Sequence, residues 1–439
     1  MAEIFFQFFK NWWWFFFSFI LYFIFRYLYF WWIRWEVFYK KAFKWILLEL
    51  KPPKENIKPF SAMENIFSMF ASLHDIPNWR GRWCEGGLPI GYGGWFSFEI
   101  CSFGGETHFF IRIPDKYKTA IETAIYSQYP DSEVSLVEDY TQKIPRDIPN
   151  EKWDLYSEDY TLFKPDHFPI KTYSMFFERP EEEKRVLEEK RLDPMTTLME
   201  AFSKLQSGEQ LWLQIVGAPI IEKQFPWIVK GKAEVDRITK RVSPKPQKSI
   251  LEEIFDLLIF GKKEEKKEEI PLELVAPELR LTPVEREIVS GIENKMKKPA
   301  FLCWIRQVYL CKRDEPHNFG NFNLVREYLM SQFATNHLNT FVYFGGTRTR
   351  IHYWLKRRRL YLRKRQRLRN YIERMPSLWP RSFEGTKFPG PISVAPGIRA
   401  TCVLNTEELA TIFHFPTKII LPTVPRVETK RVGPPPHLS

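Results

Sequence analysis

Cysteine is scarce in this chain: five in 439 residues (Cys84, Cys101, Cys303, Cys311, Cys402), odd in number and widely spaced. That set excludes a disulfide framework and points to a reducing compartment. Cys303 and Cys311 stand an even number apart on one apparent strand, too distant to bond, and read as buried apolar residues. Histidine numbers only eight, with no HExxH, HxH or CxxC spacing, so a metal centre is not expected. No phosphate loop ending in Gly-Lys-Ser/Thr occurs. Gly86, Gly87, Gly91, Gly93 and Gly94 lack that lysine and the helix after it, and read as turn residues. There is no GxSxG elbow, and the Asp/Glu pairs sit in charge runs, which are ordinarily solvated faces. These absences leave no catalytic, cofactor or metal constellation, and an enzyme is not expected.

What is abundant is local. The chain is 44 % hydrophobic and 27 % charged, ordinary for globular proteins, and its length allows two or three domains. Of 73 aromatic residues, 24 fall in residues 1–45. Residues 12–33 read WWWFFFSFILYFIFRYLYFWWI, with Arg26 the one charge. Twenty-two residues make a helix of about 33 Å, near the hydrocarbon thickness of a bilayer. Trp12, Trp13 and Trp14 at one end and Trp31, Trp32 and Trp35 at the other have the spacing of two interfacial belts, with Arg26 in snorkelling reach of the second. A register over 4–25, with Lys10 as the buried charge, is the alternative. The expectation is one transmembrane helix in the inner (cytoplasmic) membrane. Arg34, Lys40, Lys41, Lys44, Lys51 and Lys54 follow it, which puts the N-terminus outside and the body in the cytoplasm. Residues 34–50 read as a juxtamembrane helix on anionic lipid, ended by Pro52-Pro53.

The body reads as α+β. Residues 61–75 suggest an amphipathic helix capped by Ser61 with Glu64. WFSFEICSF and THFFIRI around Gly104-Gly105 signal a hairpin. A helix over 115–128 and a strand over 132–138 follow. This strand–strand–helix–strand order is that of a ferredoxin-like split α/β sandwich. TYSMFFE (172–178) reads as a strand, 181–192 as a solvated connector, 194–206 as a helix with Asp193 as cap and Pro194 at its first position, and 210–220 as an apolar strand. Residues 226–298 form a charged, proline-containing linker with an amphipathic piece at 249–260 and a helix at 282–298 capped by Thr282. Residues 300–313 and 319–336 suggest a strand and a helix, a faint echo of the earlier unit and so a second copy of it. TCVLNTEELATIFHFP (401–416) gives a strand and a short helix capped by Thr406. The expected layout is an anchor at 1–50, α/β units at 60–225 and 299–420 around the linker, and a proline-punctuated tail at 421–439.

Net charge is +12, and it is concentrated. Residues 348–374 hold twelve Arg or Lys against one acid, Glu373. Trp354, Tyr361, Leu368, Ile372 and Met375 recur at helical steps and predict a stripe that lies on the body. Lys356, Arg357, Arg358, Arg359, Arg363, Lys364, Arg365, Arg367 and Arg369 crowd the rest of the helix. Like charges at this density repel and call for counter-charge: anionic lipid, nucleic acid or an acidic protein. Arginine over lysine favours bidentate phosphate contact. A solvated surface helix is the plain alternative.

Three blocks carry a family resemblance. GGWFSFEICSFGGETHFFIRIPDKYKTAIETAIYSQYPDSEVSLVEDY, FFERPEEEKRVLEEKRLDPMTTLMEAFSKLQSGEQLWLQI and LNTEELATIFHFP resemble the membrane-proximal domain of type IV secretion and conjugation-type proteins from small-genome bacteria. PRVETKRVGPPPHLS resembles the stretch that precedes a HerA/FtsK-like P-loop ATPase in longer relatives. The resemblance implies a membrane-anchored, non-catalytic interaction subunit of a secretion or DNA-transfer apparatus. Its partners would be the bilayer, a P-loop ATPase supplied in trans, DNA and further copies of itself. The alternative expectation is a membrane-tethered nucleic-acid-binding protein unrelated to secretion.

Overall fold

The computed structural model describes residues 2–32, 44–53, 58–73, 95–176, 193–222, 226–239, 281–351, 355–374 and 401–416. Most of the elements read from patterning form locally as the residues dictate. Strands β2 (Phe96–Phe103) and β3 (Glu106–Pro114) close on Gly104 and Gly105, both at positive φ (58° and 101°), a conformation with little steric cost only for glycine. Asp115–Tyr117 forms a tight turn that leads into helix α3 (Lys118–Gln128), and strand β4 (Glu133–Val137) follows. Helix α4 (Pro194–Ser203) starts on Asp193, whose carboxylate accepts from the Met195 N–H. Strand β6 (Glu209–Ile220) comes next. Helix α6 (Pro283–Met296) starts on a reciprocal box between Thr282 and Glu285, with strand β7 (Ala300–Lys312) after it.

Their assembly departs from the expected sandwich units. With β1 (Trp45–Lys51), β5 (Trp153–Leu162), β8 (Phe341–Tyr343) and β9 (Cys402–Asn405), the described strands form one antiparallel sheet of nine, in the order β4-β1-β3-β2-β6-β7-β5-β8, with β9 beside β7. The join is β6, which pairs with β2 on one side and, from Glu209↔Cys311 to Ile220↔Ala300, with β7 on the other. A ladder that runs without a break across both halves leaves no boundary between two ferredoxin-like units. Three of the strands were not expected. Residues 45–50 of the anticipated juxtamembrane helix belong to β1 (Trp45–Lys51), paired with β3 and β4. WDLYSEDYTL is β5 (Trp153–Leu162), paired with β7 and with the short β8 (Phe341–Tyr343).

Other local readings also give way. Residues 173–175 are a tight helical turn, not a strand. The anticipated linker contains helix α5 (Trp227–Thr239); its pieces at 249–260 and 261–271 lie outside the described residues, as do the glycines at 86–94, the connector at 181–192 and the tail. Helix α2 (Phe60–Ser72) begins two residues before the expected Ser61 cap, on Pro59, whose ring offers no acceptor, and Glu64 bonds to Lys298 at 2.7 Å and to the Tyr173 hydroxyl. Residues 319–332 change pitch from a 3-10 turn through α7 (Leu324–Glu327) to a π turn. Asn405, at the end of β9 (Cys402–Asn405), caps helix α9 (Thr406–Ile412) in place of Thr406.

Helix α1 (Ala2–Trp32) is 31 residues long, yet among the described residues no helix is long and apolar enough to cross a membrane. Beside its eleven phenylalanines it carries five indoles and three phenols, whose N–H and O–H groups are polar, and Glu3, Gln7, Lys10, Asn11 and Arg26 lower its apolarity further. This overturns the transmembrane anchor and, with it, the inner-membrane placement. Trp12, Trp13 and Trp14 stand exposed on α1, Arg26 donates to the Tyr22 hydroxyl, Trp31 and Trp32 end the helix, and Trp35 lies outside the described residues.

The sheet has two different faces. One row across it runs Leu48, Ile111, Phe98, Ile215, Ile305, Tyr160, set by direct pairing from β1 to β5. All six are buried in the main core, where α2, α3, α4 and α9 cover them. The row one residue over, on the opposite face, runs Glu49, Phe110, Glu99, Gln214, Arg306, Asp159. Its last four members are almost wholly excluded from solvent, between an apolar cluster around Trp212 and Leu368 and another around Trp227 and Trp304. That polar row positions the basic helix.

Candidate nucleic-acid interface

Helix α8 (Lys356–Ile372) lies across the polar row. Arg367 donates to Asp159 at 3.0 Å, and Lys364 to Asp154 at 2.6 Å with its ammonium 3.9 Å over the Tyr156 ring. Arg306 donates to the Asn370 carbonyl at 2.6 Å and Gln214 to the Tyr371 carbonyl at 3.2 Å. Arg306 satisfies a carbonyl of the last turn and brings positive charge to the negative end of the helix dipole, and Gln214 adds a second donor to the Tyr371 carbonyl, which also accepts from the Arg374 N–H. Burial lowers the Arg306 guanidinium to about 10, which leaves it charged at neutral pH.

The far end is held by Arg374. Its backbone is left-handed (φ 54°), the conformation that usually stops a helix at a glycine. Here an arginine accepts that conformation at a cost of roughly 1–2 kcal/mol. It recovers charged hydrogen bonds to Glu99 at 2.9 Å and Asp139 at 2.5 Å, with Arg374 and Glu99 fully buried. Burial opposes its charge, but Glu99 and Asp139 overcome that and hold its pKa above the ordinary value. Tyr140 joins the cluster by donating to Glu99 at 2.7 Å and meeting the Tyr371 hydroxyl at 2.7 Å.

The cations of α8 therefore divide in two. Lys364 and Arg367 face inward and are neutralised by sheet carboxylates. Arg363 is half-buried and donates to the Arg348 carbonyl. Lys356, Arg357, Arg358, Arg359, Arg365 and Arg369 are exposed. Leu368 joins the core as the apolar stripe predicts, but Tyr361 is 41 % exposed; Trp354 and Met375 lie outside the described residues. The stripe that docks is Lys364, Arg367, Leu368 and Tyr371, so the buried face is half ionic.

The first turn of α8 is built against its own stability. Four cations, Lys356 to Arg359, occupy the positive end of the dipole, no acid stands among them, and Leu355 before them has left-handed backbone (φ 53°) and no side-chain cap. Each misplaced cation costs roughly 0.3–1 kcal/mol at low salt.

Beside this turn, at the β5 edge of the sheet, Glu158 is buried and holds two more cations, Arg326 and Arg348. The Arg326 guanidinium lies 5.6 Å from the Phe322 ring and 5.3 Å from the Tyr343 ring, and Arg348 lies 5.0 Å from Tyr343. Patterning missed Glu99, Asp159, Arg306, Arg326, Arg348 and Arg374. The available signal was the acids in strand-like segments: FSFEI and LYSEDY each set carboxylates among apolar residues, where a solvated charge run would be continuous.

No family model matches the chain, and no curated protein matches it. Among the described residues no cluster of His, Cys, Asp and Glu is arranged to hold a metal ion.

Proposed function

We propose that this protein is a non-catalytic scaffold that binds nucleic acid along the outward face of α8. One observation carries the reading: the inward cations Lys364 and Arg367 each have a carboxylate in the sheet, while Lys356, Arg357, Arg358, Arg365 and Arg369 face outward, exposed, and begin at the wrong end of the dipole. An anionic polymer supplies what the fold withholds. Its phosphates neutralise the first turn, and each one engaged releases condensed counterions. Arginine matches phosphate in two-point contact, and cations seated on rings beside the helix suit a nucleic acid better than a lipid surface.

The test is the salt dependence of binding to a labelled oligonucleotide, with anionic vesicles as the competing target. Arg357→Ser, Arg358→Ser, Arg365→Ser and Arg369→Ser together should weaken oligonucleotide binding at least a hundred-fold and flatten the salt slope by about 0.7–0.9 for each phosphate no longer engaged. Unchanged affinity, or affinity for vesicles alone, would overturn the reading. The likeness to DNA-transfer modules adds a motor partner. A P-loop ATPase is therefore the partner to seek by co-purification.

A further inference from the structure

We infer that the cavity at the start of α8 receives an unstacked base, so that the strand bound along the helix is single. This inference rests on the nucleic-acid reading above and deepens it. The cavity has a volume of about 690 Å³, within the roughly 300–1,000 Å³ of small-ligand clefts. Its wall combines rings (Tyr156, Phe319, Phe322) with cations (Arg326, Arg348, Lys356), and among the described residues no acid lines it. Phe319 is 50 % exposed although it packs edge-on to Tyr156 at 4.3 Å and stacks on Phe322 at 5.8 Å, so part of its ring is available. Arg326 and Arg348 are held by Glu158 beneath them, so both guanidinium planes are oriented before any ligand arrives.

Rings and guanidinium planes of this kind are the platforms on which proteins stack splayed bases. A base in a duplex is paired and stacked and cannot enter without being extruded. Lys356 both lines the cavity and opens the exposed cationic turn, so a base seated there leaves its phosphates at Arg357 and Arg358. The neighbouring Tyr343, 42 % exposed under Arg326 and Arg348, extends the platform by one ring.

The experiment compares four probes by fluorescence anisotropy or competition: a fifteen-nucleotide oligo-dT, an abasic strand of the same length, a fifteen-base-pair duplex, and dTMP as competitor. Wild-type protein should bind oligo-dT about ten-fold or more tighter than the abasic strand. Phe319→Ala should remove that advantage and leave abasic-strand and duplex binding unchanged, while Phe319→Tyr should keep it. Equal affinity for oligo-dT and the abasic strand, or an equal loss on all three polymers with Phe319→Ala, would overturn the base pocket. Displacement of the strand by micromolar dTMP would also overturn it, because the cavity would then serve a free nucleotide. The arms separate the two claims. If the serine variant of the outward arginines binds every polymer as wild type does, the nucleic-acid reading falls. If it loses them all while wild type ignores the bases, only the pocket falls.

Discussion

The same strands carry two cores of opposite character. On one face, Leu48, Ile111, Phe98, Ile215 and Ile305 meet helices through apolar contact alone. One residue along each strand, Glu99, Arg306 and Asp159 meet the helix and its C-terminal turn through charge, and Gln214 through a hydrogen bond. Apolar contact tolerates many arrangements of similar volume, whereas each buried charge needs its particular partner at hydrogen-bond distance. The polar face therefore gives α8 one position and one rotation. A helix with so many cations could otherwise present any of its sides, and the sheet carboxylates choose which go inward and which stay exposed.

The comparison can be broken most severely at its two centres. Phe98→Ala on the apolar face should cost about 3–5 kcal/mol through loss of burial and a cavity. Arg374→Met on the polar face should cost a similar 3–5 kcal/mol, but because Glu99 is left buried without its partner. Denaturant unfolding measures both, and a loss below about 1 kcal/mol for Arg374→Met would mean that the polar face does not hold the helix. The faces should then diverge when partners are removed together. Glu99→Leu with Arg374→Met should be clearly more stable than Arg374→Met alone, because no unpaired charge stays buried. No second substitution beside Phe98→Ala should bring a comparable recovery unless it refills the volume.

Acid should also separate the faces. Asp139 is lowered from its ordinary 3.8: burial opposes this, and Arg374 with the Thr141 N–H and hydroxyl prevails. Its contribution is fully present above the ordinary value and is lost as pH falls through the lowered one. Below about pH 3.8 the C-terminal end of α8 should loosen first, read as a change at Tyr371 and Trp212 by near-ultraviolet circular dichroism, while the helical signal of the apolar side persists. Simultaneous loss of both would erase the distinction. The smallest effect belongs to the outward arginines, where Arg365→Ser or Arg369→Ser should change stability by less than about 0.5 kcal/mol, since neither reaches the core.

How much of this was readable follows from the range of each interaction. The Gly104-Gly105 turn, the Asp193 cap, the Thr282–Glu285 box and the period of β6 and β7 all act within a few residues, and patterning finds them. Strand β5 escaped because Asp154, Glu158 and Asp159 look like surface charge until Lys364, Arg326, Arg348 and Arg367 are brought to them from about 170 to 210 residues away. The same distance hid Arg374, an ordinary member of a basic run until Glu99 singles it out. The aromatic N-terminus misled for a different reason: ring count stood in for apolarity, and indoles and phenols are only partly apolar.

From its sequence alone, the chain determined its local elements, its want of a phosphate loop and the concentration of positive charge in one helix, all of which depend on neighbouring residues. Tertiary structure alone decided that both halves share one sheet and that α8 turns Lys364 and Arg367 inward. Those outcomes come from hydrogen-bond ladders and ion pairs between residues remote in the chain. Only folding sets which carboxylate reaches which cation, and so which cations stay on the surface.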